Sequence, residues 1–361
     1  MKLDNCMEIA LYDVDSKDFP NLPLMKISAY HKAKGDNVEF LNRIKHYDKV
    51  YVSKVFGDEY TEIDNTVIDA DEIIYGGTGF AITIENGKEV YHKDRDKDLP
   101  YEIEHIYPDY SLYPELTKDK AYGFLTRGCC NNCSFCIVTQ KEGICSHKVA
   151  DLTEWWNGQK EIILLDANIL ACKDRKDLLQ QLIDSGAKVD FTQGLDARFV
   201  TEEIAHMLSL IKTKTWHFAF DFMRNEKQII KGLRTFVDIV KPNDRNAIVY
   251  MLTNYDTTIE QDLHRIKLIQ NVGLSPDVRI YRKNSLPRRH ILRDLQRWCN
   301  NRFLYRSCPD FMNYVPRSDG KTIRQIYFGG GEINVQENEK KKLRGQEHRV
   351  SVSVWHKDCL L

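Results

Sequence analysis

The chain has no long apolar run and almost no net charge. Its formal charge is −1 over 361 residues, so no overall electrostatic field favours nucleic acid or an anionic membrane as a partner. The first six residues contain no apolar signal segment, and no later stretch reaches the length of a transmembrane helix. We therefore expect no membrane association and a cytoplasmic location, where free thiols stay reduced.

The sequence also lacks the composition of a disordered chain. Hydrophobic residues make up 42% and aromatic residues 11% of it, which is enough to bury a sizeable core. A length of 361 residues predicts one large or two medium domains.

The ten cysteines are unevenly distributed, and four of them fall within residues 129–136. Cys129, Cys133 and Cys136 form a C-x3-C-x2-C pattern directly after Gly128. Thiolates this close in sequence can converge on one soft metal centre. Four thiolates close an iron–sulfur cluster completely, whereas three leave one iron open, much as an open position marks a catalytic zinc.

This motif resembles the signature of the radical S-adenosylmethionine (SAM) enzymes. Phe135 supplies the aromatic residue before the last cysteine, and Thr126-Arg127-Gly128 is similar to the start of the motif in the cobalamin-associated and methylthiotransferase branches. The resemblance implies a [4Fe–4S] cluster on Cys129, Cys133 and Cys136, with Phe135 beside the cofactor. SAM would chelate the fourth iron and be cleaved reductively to methionine and a 5′-deoxyadenosyl radical. An external one-electron donor of the flavodoxin or ferredoxin type would supply the electron.

Other metal sites compete with this interpretation. A zinc site usually shows two C-x2-C knuckles or one knuckle with a histidine pair, and the nearest additional ligands here are Cys145 and His147. Cys130, Cys133 and Cys136 also form C-x2-C-x2-C as in bacterial ferredoxins, but no C-x3-C-P follows. The alternative function is therefore a non-catalytic interaction protein that binds zinc or an iron–sulfur cluster.

Strand-like and helix-like segments alternate along residues 1–115, which predicts βαβ units and a parallel sheet. This region resembles the Rossmann-like, cobalamin-binding-like domain that precedes the barrel in one branch of radical SAM enzymes. The D-x-H-x-x-G motif with the cobalt-ligating histidine is missing. We therefore expect His31 to be a helix-face residue and cobalamin not to bind. Gly76-Gly77-Thr78-Gly79 is expected to form a plain turn.

Residues 116–315 contain six further βα-like units. The predicted fold class is thus α/β, a partial (β/α)6 TIM-type barrel preceded by the smaller Rossmann-like domain. Residues 316–361 form a C-terminal extension of undetermined role.

Polar residues follow the predicted strands of the barrel region, where (β/α) barrels place their chemistry. The candidates are Asp166, Asn168, Gln193, Asp196, Arg198, Asp221, Thr253 and Asn254. By resemblance, Asp166-Ala167-Asn168 takes the place of the motif that contacts the SAM amine, although the usual Gly-Gly-Glu is absent there. Arg198 is the candidate for the SAM carboxylate, because a guanidinium group binds a carboxylate with two hydrogen bonds.

Residues 279–306 combine nine Lys or Arg residues with a single acidic residue and with Trp298, Phe303 and Tyr305. Basic and aromatic residues together are typical of a single-stranded nucleic-acid surface, while the favoured interpretation is an ordinary basic helix folded against the barrel. The substrate class stays open between RNA or a nucleotide and a peptide or small molecule.

Overall fold

Parallel strands alternate with helices along the chain in the computed structural model, which describes residues 6–329 except 59, 62, 65–66, 86–87 and 244. Contacts between residues divide the chain into two compact units. Of the described chain, the first contains residues 6–193 and 210–214, and the second contains residues 194–209 and 215–329. Most of the predicted C-terminal extension lies outside the described residues.

The first unit opens with a parallel four-stranded sheet in the order β2-β1-β3-β4. Its strands are β1 (Glu8–Asp13), β2 (Asn37–Phe40), β3 (Tyr47–Ser53) and β4 (Ala70–Gly76). Helix α1 (Leu22–Lys34) connects β1 to β2 and is capped by Asn21, whose side chain accepts a hydrogen bond from the backbone N of Leu24 at 3.2 Å. Ile9 and Leu11 of β1 pack against Leu24 and Ile27 of α1.

A hairpin and two short helices follow this sheet. Strands β5 (Ile82–Glu85) and β6 (Lys88–Tyr91) pair antiparallel, and helices α2 (Tyr101–Glu104) and α3 (Pro114–Thr117) come next. Ile82 and Tyr91 of the hairpin pack against Ile137, so the hairpin contacts the segment after the cysteine motif.

The second sheet of the first unit is also parallel, in the order β12-β11-β10-β7. Its strands are β7 (Lys120–Gly123), β10 (Glu161–Leu164), β11 (Lys188–Phe191) and β12 (Lys212–Thr213). Between β7 and β10 lie β8 (Thr126–Arg127), α4 (Val138–Glu142) and β9 (His147–Lys148), and β8 pairs antiparallel with β9. Helix α5 (Arg175–Ser185) connects β10 to β11.

The second unit contains a parallel three-stranded sheet in the order β13-β14-β15. Its strands are β13 (Trp216–Ala219), β14 (Ala247–Thr253) and β15 (Ser275–Ile280). The helices beyond β11 are α6 (Glu202–Leu210), α7 (Glu226–Val240), α8 (Ile259–Val272), α9 (Ile291–Asn300), α10 (Arg302–Ser307) and α11 (Ile323–Phe328). Phe218, Val249 and Val278, one on each strand, are fully buried.

The mixed α/β class with parallel sheets is therefore confirmed. Closure of the strands into a partial (β/α)6 barrel and the division at residues 115 and 315 stay predictions. None of the described helices is both long and apolar enough to span a membrane.

Candidate metal and cofactor site

The cysteine loop, residues 128–137, begins directly after β8 and ends at α4. Gly128 has a φ of 86°, and a Cβ there would overlap with the carbonyl oxygen of Cys145. Only glycine combines this backbone conformation with so close an approach. The backbone N of Cys129 donates to the carbonyl O of Gly143 at 3.2 Å. The start of the loop is therefore held against the chain that follows α4.

Asp166 fixes the chain just before the loop. Its carboxylate accepts hydrogen bonds from the backbone N of Leu125 at 2.8 Å, from the backbone N of Thr126 at 2.7 Å and from Oγ1 of Thr126 at 2.5 Å. The residue is 4% exposed, and burial raises the pKa of Asp166 to about 7, although the hydrogen bonds act in the opposite direction. The residue predicted to contact the SAM amine thus joins the end of β10 to the start of the cysteine loop.

Glu142, the last residue of α4, joins the helix after the loop to the start of the loop. Its carboxylate accepts from Nη1 of Arg127 at 2.9 Å and from the backbone N of Gly128 at 3.0 Å. The guanidinium of Arg127 also lies over the ring of Phe124, 3.4 Å from its centroid. Glu142 is not among the predicted site residues, because a carboxylate 15 positions from its arginine partner shows no local sequence pattern.

Exposure distinguishes the four thiols of the loop. Cys129, Cys133 and Cys136 are partly buried, whereas Cys130 is exposed. Phe135, next to Cys136, is 4% exposed, and the Nδ2 of Asn168, itself buried, lies 3.7 Å from the Sγ of Cys129. The three cysteines of the C-x3-C-x2-C pattern therefore share an environment that Cys130 does not.

The thiols do not form an assembled metal site. Within the described ranges, no three His, Cys, Asp or Glu side chains are grouped so that they could hold one metal ion. Metal ligands commonly converge only when the metal replaces their protons. The donor set still fits a soft metal centre, because three partly buried thiols lie on one short loop whose start is held by Asp166 and Glu142.

The possible zinc ligands lie beside the same loop. Cys145 is exposed, and its carbonyl O accepts a hydrogen bond from Nδ1 of His147 at 3.1 Å. Their position next to Gly128 keeps a zinc site open as an alternative.

Gln193 is a partly buried residue at the end of the first unit. Asp196, Arg198 and Asn254 belong to the second unit. Arg198 donates to both carboxylate oxygens of Asp196, at 2.9 Å from Nε and 2.6 Å from Nη2. The Nδ2 of Asn254 donates to the carbonyl O of Tyr281 at 2.8 Å. A role of these four residues in binding SAM stays a prediction.

A buried arginine organises the strand ends of the second unit. Arg265 of α8 donates to the carbonyl O of Phe220 at 2.5 Å and of Leu252 at 2.8 Å, and it pairs with Asp262 at 2.6 Å. Asp221 accepts from the backbone N of Leu252 at 2.9 Å, and burial raises the pKa of Asp221 to about 6. Asp221 is one of the predicted site residues, whereas Arg265 is not among them.

Two further features with predicted roles, the segment 76–79 and His31, lie in the N-terminal region of the first unit. Where a plain turn was expected, Gly76 ends β4 and Thr78–Ala81 forms a short 3-10 helix. A Cβ at Gly79 would overlap with the carbonyl oxygen of Phe56. His31 on α1 is 3% exposed, with Nδ1 2.7 Å from Oδ2 of Asp36 and Nε2 2.9 Å from the hydroxyl of Tyr51. Both ring nitrogens of this histidine are therefore engaged inside the domain.

A scan against protein-family models found no matching family, and a search among curated proteins found no match.

Proposed function

We propose that the protein is a radical SAM enzyme whose cluster is held by Cys129, Cys133 and Cys136. One observation carries the proposal: the C-x3-C-x2-C loop begins directly after β8, just beyond the parallel-sheet strand β7, and Asp166 and Glu142 hold the chain directly before Cys129. When bound, the [4Fe–4S] cluster would supply the electron that cleaves SAM and so starts radical chemistry on a substrate.

The residues around the loop have positioning roles in this proposal. Asp166 and Glu142 restrain residues 125–128, directly before Cys129, and Glu142 joins this segment to the helix that follows the loop. A restrained backbone loses less entropy when the thiols gather around a cluster. An N–H group of Asn168 near the sulfur of Cys129 would stabilise the thiolate, and hydrogen bonds to cluster sulfurs also tune the reduction potential. The buried ring of Phe135 would keep water from the adjacent Cys136.

The proposed partners follow from this chemistry. A flavodoxin- or ferredoxin-type protein would donate the electron, and a reducing cytoplasm would keep the thiols available.

Metal analysis of anaerobically purified protein tests the proposal. We expect iron and sulfide in a [4Fe–4S] ratio, an oxygen-sensitive brown chromophore, and formation of 5′-deoxyadenosine when SAM and a chemical reductant are added. Zinc without iron would support the non-catalytic alternative and overturn the enzyme proposal. Iron without any SAM cleavage would leave an iron–sulfur interaction protein.

A further inference from the structure

The basic stretch at residues 279–306 does not form one surface. Arg302, which opens α10, donates through Nη2 to Oγ of Ser275, the first residue of β15, at 3.3 Å. Phe303 and Arg306 on the same short helix therefore lie toward the amino end of β15. Trp298 is 2% exposed, and its Nε1 donates to the carbonyl O of Cys308 at 2.8 Å. These aromatic residues do not accompany the first half of the basic stretch.

The first half forms a separate loop at the opposite end of β15. Residues 282–289, which we name the basic loop, follow the carboxyl end of this strand. Asn254, which follows β14, donates to the carbonyl O of Tyr281 immediately before the loop. The basic loop thus lies at the carboxyl ends of parallel strands, where α/β folds bind their ligands.

Four exposed cations lie in the basic loop, and no acidic residue interrupts them. They are Arg282, Lys283, Arg288 and Arg289. None of the four forms an ion pair with an acidic side chain in the described part of the chain, whereas Arg279 pairs with Asp277 at 2.7 Å and Arg317 with Asp294 at 3.1 Å. Neighbouring carboxylates therefore neutralise the charge of Arg279 and Arg317 but not the charge of the basic loop.

The backbone of the basic loop is held in place by a side chain of α9. Nη2 of Arg293 donates to the carbonyl O of Lys283 at 2.6 Å and of Leu286 at 3.1 Å. The backbone N of Ser285 donates to the carbonyl O of Arg282 at 2.9 Å. Because these bonds fix the loop before any ligand arrives, a ligand would not have to order its backbone.

An aromatic pair adjoins the loop. The rings of Tyr255 and Tyr281 lie 5.0 Å apart at 79°, and the guanidinium of Arg282 lies 5.7 Å from the centroid of Tyr281. Both tyrosines are partly exposed. Aromatic side chains beside clustered cations are the combination on which bases stack while phosphates are neutralised.

We propose that the basic loop binds the phosphodiester backbone of a single-stranded nucleic acid beside Tyr255 and Tyr281. Resting on the proposed function, this assigns nucleic acid as the substrate class of the enzyme. Binding itself requires neither the cluster nor SAM, so it can be measured independently.

Fluorescence anisotropy measures this binding with the full chain in the absence of SAM. The probes are labelled single-stranded oligonucleotides of about 20 nucleotides, and the salt concentration is varied from about 50 to 200 mM. RNA and DNA oligonucleotides form separate arms. For single strands the logarithm of the binding constant changes by about 0.7 per phosphate contact for each tenfold change in salt, so four contacts predict a slope of about −3. Arg282→Ala/Lys283→Ala/Arg288→Ala/Arg289→Ala should weaken binding at least ~10-fold and flatten that slope.

A matched variant controls for total charge. It also removes four exposed cations from the second unit, by Lys227→Ala, Lys231→Ala and Arg234→Ala on α7 and Lys267→Ala on α8. This variant should bind the better of the two oligonucleotides as the unmodified protein does. Three results would each overturn the proposal. They are an equal loss of oligonucleotide affinity in both quadruple variants, no binding of either the RNA or the DNA oligonucleotide, and binding of a polyglutamate peptide as tight as that of the oligonucleotide.

Iron content and SAM cleavage, measured on the same preparations, separate this inference from the proposed function. If a protein without iron binds the oligonucleotide and this binding depends on the basic loop, the proposed role of the loop is supported and the proposed enzyme function is refuted. A complete cluster with SAM cleavage but no oligonucleotide binding would refute the loop alone. All eight substituted residues are exposed, so both variants should unfold at the temperature of the unmodified protein.

Discussion

At the scale of single residues, the four thiols of the cysteine loop differ in their surroundings. Cys129 lies near the Nδ2 of Asn168 and is partly buried, whereas Cys130 is exposed. A ligand needs a fixed position, and a solvent-exposed side chain has more freedom to lose on binding. The ligand set Cys129, Cys133 and Cys136 is therefore favoured over the ferredoxin-like set, in which Cys130 replaces Cys129.

Alanine variants of the loop cysteines test this ligand set. Cys129→Ala, Cys133→Ala and Cys136→Ala should each abolish the iron-dependent chromophore, because two thiolates rarely hold a cubane cluster. Cys130→Ala is the matched control and should retain most of the iron. Loss of iron in Cys130→Ala with retention in Cys129→Ala would show that the cluster uses the other ligand set.

Asp166 makes the stability of the first unit depend on pH. Its carboxyl group titrates near about 3.9 in an unfolded chain, whereas burial raises its pKa to about 7 in the fold. Between these values the folded chain binds a proton that the unfolded chain lacks, so the contribution of Asp166 to stability falls as pH rises from about 4 to about 7 and is constant above.

Asp166→Asn removes this titration while keeping the shape of the side chain. The amide should also lose one of the hydrogen bonds to the donors of Leu125 and Thr126, which costs about 1–3 kcal/mol for a buried donor. Urea unfolding measured between about pH 5 and 8 should show the advantage of the unmodified protein shrinking up to about pH 7. An advantage that grows with pH or stays constant would contradict the raised pKa.

Site residues differed in how far the sequence could reveal them. The cysteine spacing is a local pattern and singled out the three candidate thiols. Glu142 and Arg265 act through partners distant in the sequence, such as Arg127 for Glu142 and the carbonyl of Phe220 for Arg265. Asp262 and Arg265, three positions apart on a helix, have the spacing of a surface ion pair, yet their side chains are 1% and 0% exposed. Only tertiary packing separates these two cases.

At the scale of elements, α7 lies unusually close to the turn that carries Arg198. A Cβ at Gly232 would overlap with the carbonyl oxygen of Ala197 in the turn Ala197–Phe199. The helix backbone therefore packs directly on this turn, and the helix position depends on the missing side chain. In an exposed helix the same glycine would only be a weak point.

Gly232→Ala should therefore destabilise the protein, although alanine is ordinarily favoured over glycine in a helix by about 0.8–1.0 kcal/mol. Overpacking costs about 1–3 kcal/mol, so we expect a net loss in the free energy of urea unfolding. Lys231→Ala, at the neighbouring exposed position, should stay within about 0.5 kcal/mol of the unmodified protein. A Gly232→Ala protein of unchanged or increased stability would show that α7 can shift freely away from the turn.

At the scale of the whole molecule, the alternation of apolar segments was sufficient to predict the α/β class. For example, the first βα-like unit after the cysteine motif consists of the strand Glu161–Leu164 and the helix Arg175–Ser185. Periodicity reports which face of an element is buried, but it contains no information on which strands become neighbours. The order β2-β1-β3-β4 in the N-terminal sheet and the position at which the chain divides into two compact units could for this reason not be predicted from the pattern.

That strand order decides what the N-terminal sheet can bind. In open parallel sheets a ligand takes the crevice outside the carboxyl ends of the strands where the order reverses, here between β1 and β3. The chain itself spans this crevice: Asp15 accepts from the backbone N of Val55 and of Phe56, both at 2.8 Å, and Nδ2 of Asn21 donates to Oγ of Ser53 at 2.9 Å. A large ligand such as cobalamin would have to break these bonds.

We therefore expect that hydroxocobalamin incubated with the full chain will separate from it on gel filtration, with no cobalamin absorbance in the protein peak. The geometry of His31 gives the same expectation, because Asp36 and Tyr51 occupy both of its ring nitrogens. Stoichiometric retention of cobalamin would contradict the expectation, and His31→Ala would then show whether His31 ligates the cobalt. Retention lost in this variant would mean that the histidine leaves its buried partners to ligate cobalt, whereas unchanged retention would mean binding without a protein ligand at His31.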